Sequence, residues 1–235
     1  MDLPEYGAVN PRNGEVCFSM TNNGSRIVAN TDAANSRACA DHDGNARSGN
    51  PSGHIVRFKQ GTGGASAFNW DIFLSGAEED AGAGVNLSGL TAKNDFSSPD
   101  GLWFSEATGI CYIQTDDGAY TDVTNCMLLA AIPGSVGDGA AVTVNNSLGG
   151  NTGSKRTFVG AALGEAKLRR FLVGPKGAEI TGLAESPDGK TIFVNIQHPG
   201  KDTLALGMAA DFNHTSRWPS NAGYGPGQRP RWPPS

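Results

Sequence analysis

The sequence predicts an all-β protein, a partial β-propeller of about three blades, and three observations carry that prediction. The 235 residues hold 33 glycines and 13 prolines with abundant Asn, Ser, Thr and Asp, a composition suited to many tight turns. No window has the periodicity of a long amphipathic helix. Three segments also lie over one another: LPEYGAVNPRNGEVCFSMTNN from Leu3, SPDGLWFSEATGICYIQTDDG from Ser98, and GAEITGLAESPDGKTIFVNIQHPG from Gly177.

Each segment reads as an acidic residue, a short apolar strand, a turn closing on glycine, and a second apolar strand. The turns end at Gly14, Gly109 and Gly189, and Asn-Gly and Asp-Gly are strong short-range hairpin signals. The second strands begin with near-continuous apolar runs, as strands covered on both faces do, and end on polar residues. Asn22, Asp116 and His198 are read as occupying the same place at those ends. SRIVAN, GHIVRFKQ, FNWDIFLS, NCMLLAAI and LRRFLVG supply further strands, enough for a four-stranded sheet in each interval. Gly61 to Ala65 and Gly134 to Gly153 read as surface loops, as does a Pro-rich closing segment, 216–235, of a single domain spanning 1–235. A radial arrangement brings the first strands together around an axis, where Glu5, Asp100 and Glu179 would converge. A β-sandwich is the competing architecture.

The charge balance narrows the partners. A net charge of -5, with 18 Lys plus Arg and no basic cluster, speaks against nucleic acid. No run approaches the ~20 apolar residues of a membrane span, and the start has neither the basic head nor the apolar run of a signal peptide. Cys17, Cys39, Cys111 and Cys126 have no zinc-site spacing and are read as thiols. There is no G-x-S-x-G elbow, no phosphate-cradling Gly-Lys-Ser/Thr loop, and Asp116-Asp117-Gly118 lacks the other ligands of an EF-hand. His54 reads as a strand-edge histidine.

Clustered carboxylates repel and raise one another's pKa, and a bound cation is the usual remedy. Oxygen ligands favour Ca²⁺, Mg²⁺ or Fe³⁺ over Zn²⁺. The candidate ligands are Glu5, Asp100 and Glu179, with Asp116, Asn22 and His198 adding to the shell.

Six runs, MDLPEYGAVNPRNGEVCFSMTNN, TDAANSRA, NPSGHIVRF, SPDGLWFSEATGICYIQTDDG, FLVGPKGAEITGLAESPDGKTIFVNIQHPG and GQRPR, resemble the PhoX-type alkaline phosphatases (DUF839 family) in the same order. The resemblance implies a six-bladed propeller holding Ca²⁺ and Fe³⁺, of which this chain is the C-terminal portion. It further implies hydrolysis of small phosphate esters by a monomeric parent, periplasmic or extracellular, exported by a twin-arginine signal. Glu5 and Glu179 match metal-binding glutamates, Asp100 and Asp116 match acidic motif positions, and Lys176 would meet the phosphate as a point charge. Leu3 stands where the family has Arg, Cys17 where an aromatic is expected, and Ala178 where Cys is frequent. The earlier blades, expected to supply a glutamate and a cysteine to iron, are not in this chain, so it alone is expected to be inactive or nearly so. A non-catalytic calcium-binding propeller module and a sugar-acid lactonase are the alternatives.

Overall fold

The structure, a computed structural model, describes residues 2–40, 47–61, 66–116, 119–120, 123–201, 216 and 218. Apart from Ser216 and Trp218, the Pro-rich segment 216–235 lies outside the described residues, as do 62–65 and 117–118. The described chain is nearly all β, as the sequence predicts. Its one α-helix, α1 (Gly164–Lys167), has four residues, and no described helix is long and apolar enough to cross a membrane.

The first sheet is an antiparallel meander of β1 (Pro4–Val9), β2 (Val16–Met20), β5 (His54–Gln60) and β6 (Phe68–Ser75). Its long β2–β5 connection carries the two-residue strands β3 (Cys39–Ala40) and β4 (Ser48–Gly49), which pair with each other. The second sheet repeats the plan with β7 (Pro99–Phe104), β8 (Cys111–Thr115), β9 (Met127–Ala131) and β12 (Leu168–Val173). Between β9 and β12 the chain makes an excursion, β10 (Ala140–Leu148) and β11 (Asn151–Val159), which leaves its own sheet. Through Val159, paired in parallel with Ile72 of β6, it extends the first sheet to six strands. The third unit is a hairpin, β13 (Glu179–Glu185) with β14 (Ile192–Gln197). None of these sheets closes on itself.

The three units stack face to face. Cys17, Ile55, Phe73 and Leu74 of the first sheet pack on Leu102, Cys111, Ile113, Met127 and Leu129 of the second. The second sheet's other face, through Tyr112, Cys126 and Leu128, receives Ile180, Leu183, Val194 and Ile196 of the hairpin. Successive first strands touch, β1 against β7 and β7 against β13. Three layers in succession rule out a simple two-layer sandwich. The first sheet's outward face carries an aromatic row: Phe18 stacks on Phe58 at 6.1 Å, Phe58 meets Phe68 at 5.5 Å, and Trp70 meets Phe158 at 6.0 Å.

Three sequence expectations are corrected. Residues 134–153, read as loop, contain β10 and the start of β11. The Ala-Val-Thr-Val run alternates, and Gly149 (φ 59°) with Gly150 (φ 78°) makes the two-residue turn that mirror-type hairpins require. SRIVAN is not a strand but ends in a 3-10 turn over Val28–Asn30, closed by the Asn30 side chain accepting from the Ile27 N–H at 3.0 Å. His54 is not at a sheet edge: it opens the internal strand β5, is 2% exposed, and burial pushes its pKa down to about 4, so it is neutral. Cys17 and Cys111 are buried thiols whose pKa values burial raises, Cys17 to about 12, which makes them inert core residues.

Candidate metal centre

The strand ladders refine the internal repeat. Val9 faces Val16, Phe104 faces Cys111 and Glu185 faces Ile192, with connecting loops of equal length, 10–15, 105–110 and 186–191. The same hydrogen bond closes each loop: Asn10 N–H to Glu15 O (2.7 Å), Ser105 N–H to Ile110 O (2.9 Å), and Ser186 N–H to Thr191 O (2.8 Å). Each hairpin also has a register shift near the start of its first strand, between Pro4 and Gly7, Pro99 and Leu102, and Ile180 and Gly182. Bulges of this kind re-aim side chains and recur beside active sites.

Counted from the closed turns, Glu5 and Asp100 are equivalent, but their partner in the third hairpin is Thr181. Glu179 stands two residues earlier, opposite Gln197. Asn22, Asp116 and His198 do not share a place either: Asp116 matches Thr21 and Gln197. The backbone agrees, since Thr21 N–H donates to Leu3 O at 3.0 Å and Asp116 N–H to Ser98 O at 3.1 Å. Ungapped counting slips on the second strands because Ile110, apolar like the strand that follows it, belongs to the closed loop, so that strand begins at Cys111.

Despite the shifted register, four carboxylates share one field. Asp100 is half-buried, and burial together with the charges of Glu5, Asp116 and Glu179 pushes its pKa up to about 6. Asp116 is raised by burial and by Glu179 and Glu5, against the lowering influence of Lys201 and His198. Hydroxyls seat the first two strands together. Ser19 Oγ donates to Asp100 O at 2.5 Å, Thr21 Oγ1 donates to Pro99 O at 2.9 Å, and Ser19 Oγ accepts from Tyr6 N–H at 2.9 Å.

Backbone strain gathers at the same place. The non-glycine residues with positive φ among those described are Leu3 (27°), Ser98 (48°) and His198 (54°), and each precedes a proline. A residue before proline is driven toward extended backbone, so a left-handed conformation there costs on the order of 1–3 kcal/mol. Leu3 and Ser98 each lie two residues before a clustered acid, and His198 adjoins the strand partner of Glu179.

The structure thus gathers Glu5, Asp100, Asp116 and Glu179, with His198 near enough to influence Asp116. Asn22 lies one residue past the position matching Asp116. Lys176 is exposed, and its carbonyl accepts from Gly200 N–H at 3.0 Å. Sequence reasoning missed Lys201, whose ammonium pairs with Glu179 Oε1; a lysine just past Pro-Gly carries no long-range signal. Among the described residues, no three His, Cys, Asp or Glu side chains are drawn together tightly enough to hold a metal ion. The donors are all carboxylate oxygens, the chemistry that a hard cation takes, and burial with the neighbouring charges raises Asp100. They do not resemble a thiolate or imidazole site.

Asp100 gives a pH prediction for the metal-free chain. Its folded pKa, about 6, lies above the ordinary 3.8, so the folded state binds the extra proton between those values and stability falls as pH rises through them. Above pH 6 the cost is fully present; below pH 4 it vanishes. Asp100→Asn, compared with wild type by urea unfolding in EDTA, is expected to gain about 1 kcal/mol at pH 7.5, after discounting for partial exposure, and nothing at pH 3.5. A gain of the same size at both pH values would refute the electrostatic account.

A family model described as Alkaline phosphatase PhoX matches residues 1–200. Among solved structures the chain is similar to Pseudomonas fluorescens PhoX in complex with vanadate, a transition state analogue. The identity is 29% and the TM-score 0.56, over 88% of this chain and 31% of that one. The chain therefore spans less than a third of that relative's length. No curated protein matches the chain.

Proposed function

The chain belongs to the alkaline phosphatase PhoX family, and from that premise we propose that it carries acidic ligands of a metal-dependent phosphomonoesterase acting outside the cytoplasm. The observation that carries this reading is that the touching first strands β1, β7 and β13 bring Glu5, Asp100 and Glu179 together from far apart in sequence, with burial and the neighbouring acids raising Asp100. Two similar four-stranded meanders and a third hairpin, with successive first strands touching, support reading the architecture as part of a propeller.

In this proposal Glu5, Asp100, Asp116 and Glu179 hold Ca²⁺ or Fe³⁺, both of which take oxygen donors. When bound, such an ion neutralises charge on phosphoryl oxygens. The chain's own residues do the rest. The bulges aim the carboxylates, the Ser19 and Thr21 hydroxyls keep β2 against β7, and Lys176 offers an ammonium to the phosphate. The vanadate bound by the similar Pseudomonas PhoX supports a phosphoryl-transfer substrate here.

Calcium calorimetry, backed by Tb³⁺ luminescence, tests the site. Glu5→Gln and Glu179→Gln are each expected to weaken binding about tenfold, the loss of roughly 1.4 kcal/mol of ligand energy. Wild-type chain that binds no cation would sink the reading. Hydrolysis of p-nitrophenyl phosphate by the complete protein, lost in the same variants, tests the chemistry; cation binding without turnover would favour a non-catalytic calcium module.

A further inference from the structure

The turn after β14 brings a lysine back onto the acidic cluster. Lys201 N–H donates to His198 O at 2.9 Å, Pro199 holds the second turn position, and Gly200 holds the third at φ 76°, the arrangement of a type II turn. Gly200 N–H donates to Lys176 O at 3.0 Å, which fastens this turn to the segment entering β13. So directed, the Lys201 ammonium pairs with Glu179 Oε1, and its charge is also felt at Asp116. The Lys201 side chain is 41% exposed and that of Glu179 15%, so the lysine reaches in from solvent toward a more deeply set carboxylate.

We propose that Lys201 is a built-in counter-cation of the acidic centre, displaced from Glu179 when a metal ion binds. The inference rests on reading the cluster as a cation site, and concerns what holds that site together beforehand. Four carboxylates in one field repel, and one ammonium paired with Glu179, its charge also felt at Asp116, relieves part of that repulsion. The pair is weak, as partly exposed Lys–Glu pairs are, so an ion of higher charge can replace it. An ammonium carries three donors and no acceptor, and like charge keeps it from sharing Glu179 with a metal. Binding at Glu179 is therefore a competition, and the flexible lysine stem can swing into solvent.

The test uses the full chain as wild type, Lys201→Gln and Lys201→Arg, with Ca²⁺ calorimetry and Tb³⁺ luminescence at low and moderate salt. Lys201→Gln is expected to bind about five- to tenfold more tightly, a typical coupling between competing sites, while melting at lower temperature in EDTA. Lys201→Arg, which keeps the charge, is expected to stay near wild type in both measurements. Equal or weaker binding by Lys201→Gln, with wild type binding normally, overturns the proposal and leaves the cation reading intact. No binding by any of the three removes the cation reading and the proposal with it.

Discussion

Replacing Arg57 by alanine is expected to lower the unfolding free energy by about 3–5 kcal/mol, the usual effect of removing one partner of a buried ion pair. The guanidinium, 1% exposed, donates through Nε to Asp71 Oδ1 at 3.0 Å and through Nη2 to Asp71 Oδ2 at 2.8 Å. Nη2 also reaches Ser135 O at 2.8 Å and Asp138 Oδ1 at 3.1 Å, and the group lies 5.0 Å from the Phe73 ring centre. Its neighbours continue the clamp on the same loop: Asp71 Oδ2 accepts from Gly137 N–H at 2.8 Å, and Glu15 Oε1 from Val136 N–H at 3.0 Å. Alanine would leave Asp71 charged and buried and would release the segment that leads into β10. Urea unfolding measures the loss. Arg57→Met combined with Asp71→Leu, which removes both charges, is expected to recover most of it. If the single and double variants lose equally, packing volume rather than uncompensated charge sets the cost.

Gly53→Ala is the second large effect, expected at roughly 3 kcal/mol from backbone strain plus overpacking. Gly53 has φ 64°, and a Cβ there would stand 2.0 Å from Thr21 O and 2.4 Å from Met20 O. Both obstacles are backbone, so neither can rotate away. The end of β2 would have to move, taking with it the Thr21 hydroxyl that bonds to Pro99 O. The variant should therefore lose cation affinity as well as melting temperature. Calorimetry on whatever fraction remains folded at low temperature separates the two losses. Unchanged affinity would mean that the β2–β7 contact does not position the carboxylates.

Much of the architecture is legible in the sequence because hairpins are local. The turns ending at Gly14, Gly109 and Gly189, and the apolar runs beside them, predict all three hairpins. The gathering of Glu5, Asp100 and Glu179 follows from their places at the starts of first strands. The shared register does not survive, because apolar Ile110 reads as strand but belongs to a turn, and Glu179 lies two residues before the position that matches Glu5 and Asp100. β10 and β11 escaped notice because Gly149-Gly150 sits among Asn and Ser, so turn chemistry that defines a hairpin passed for loop. Lys201 escaped because its partner is brought near by a type II turn and not by any periodicity. The internal repeat and the family resemblance both single out Glu5, Asp100 and Glu179, and neither singles out the lysine that pairs with Glu179.

The excursion from the second sheet that caps β6 also orders events during synthesis. Ile72 leaves the ribosome long before Val159, its partner on β11. At ordinary elongation rates the outer edge of β6 then waits on the order of 10 s with unsatisfied backbone groups. A bare edge beside Phe73 and Leu74 is a template for another nascent chain. Until β11 has been translated, the backbone of β6 at Ile72 is therefore expected to stay open to other chains, and slower synthesis lengthens that interval.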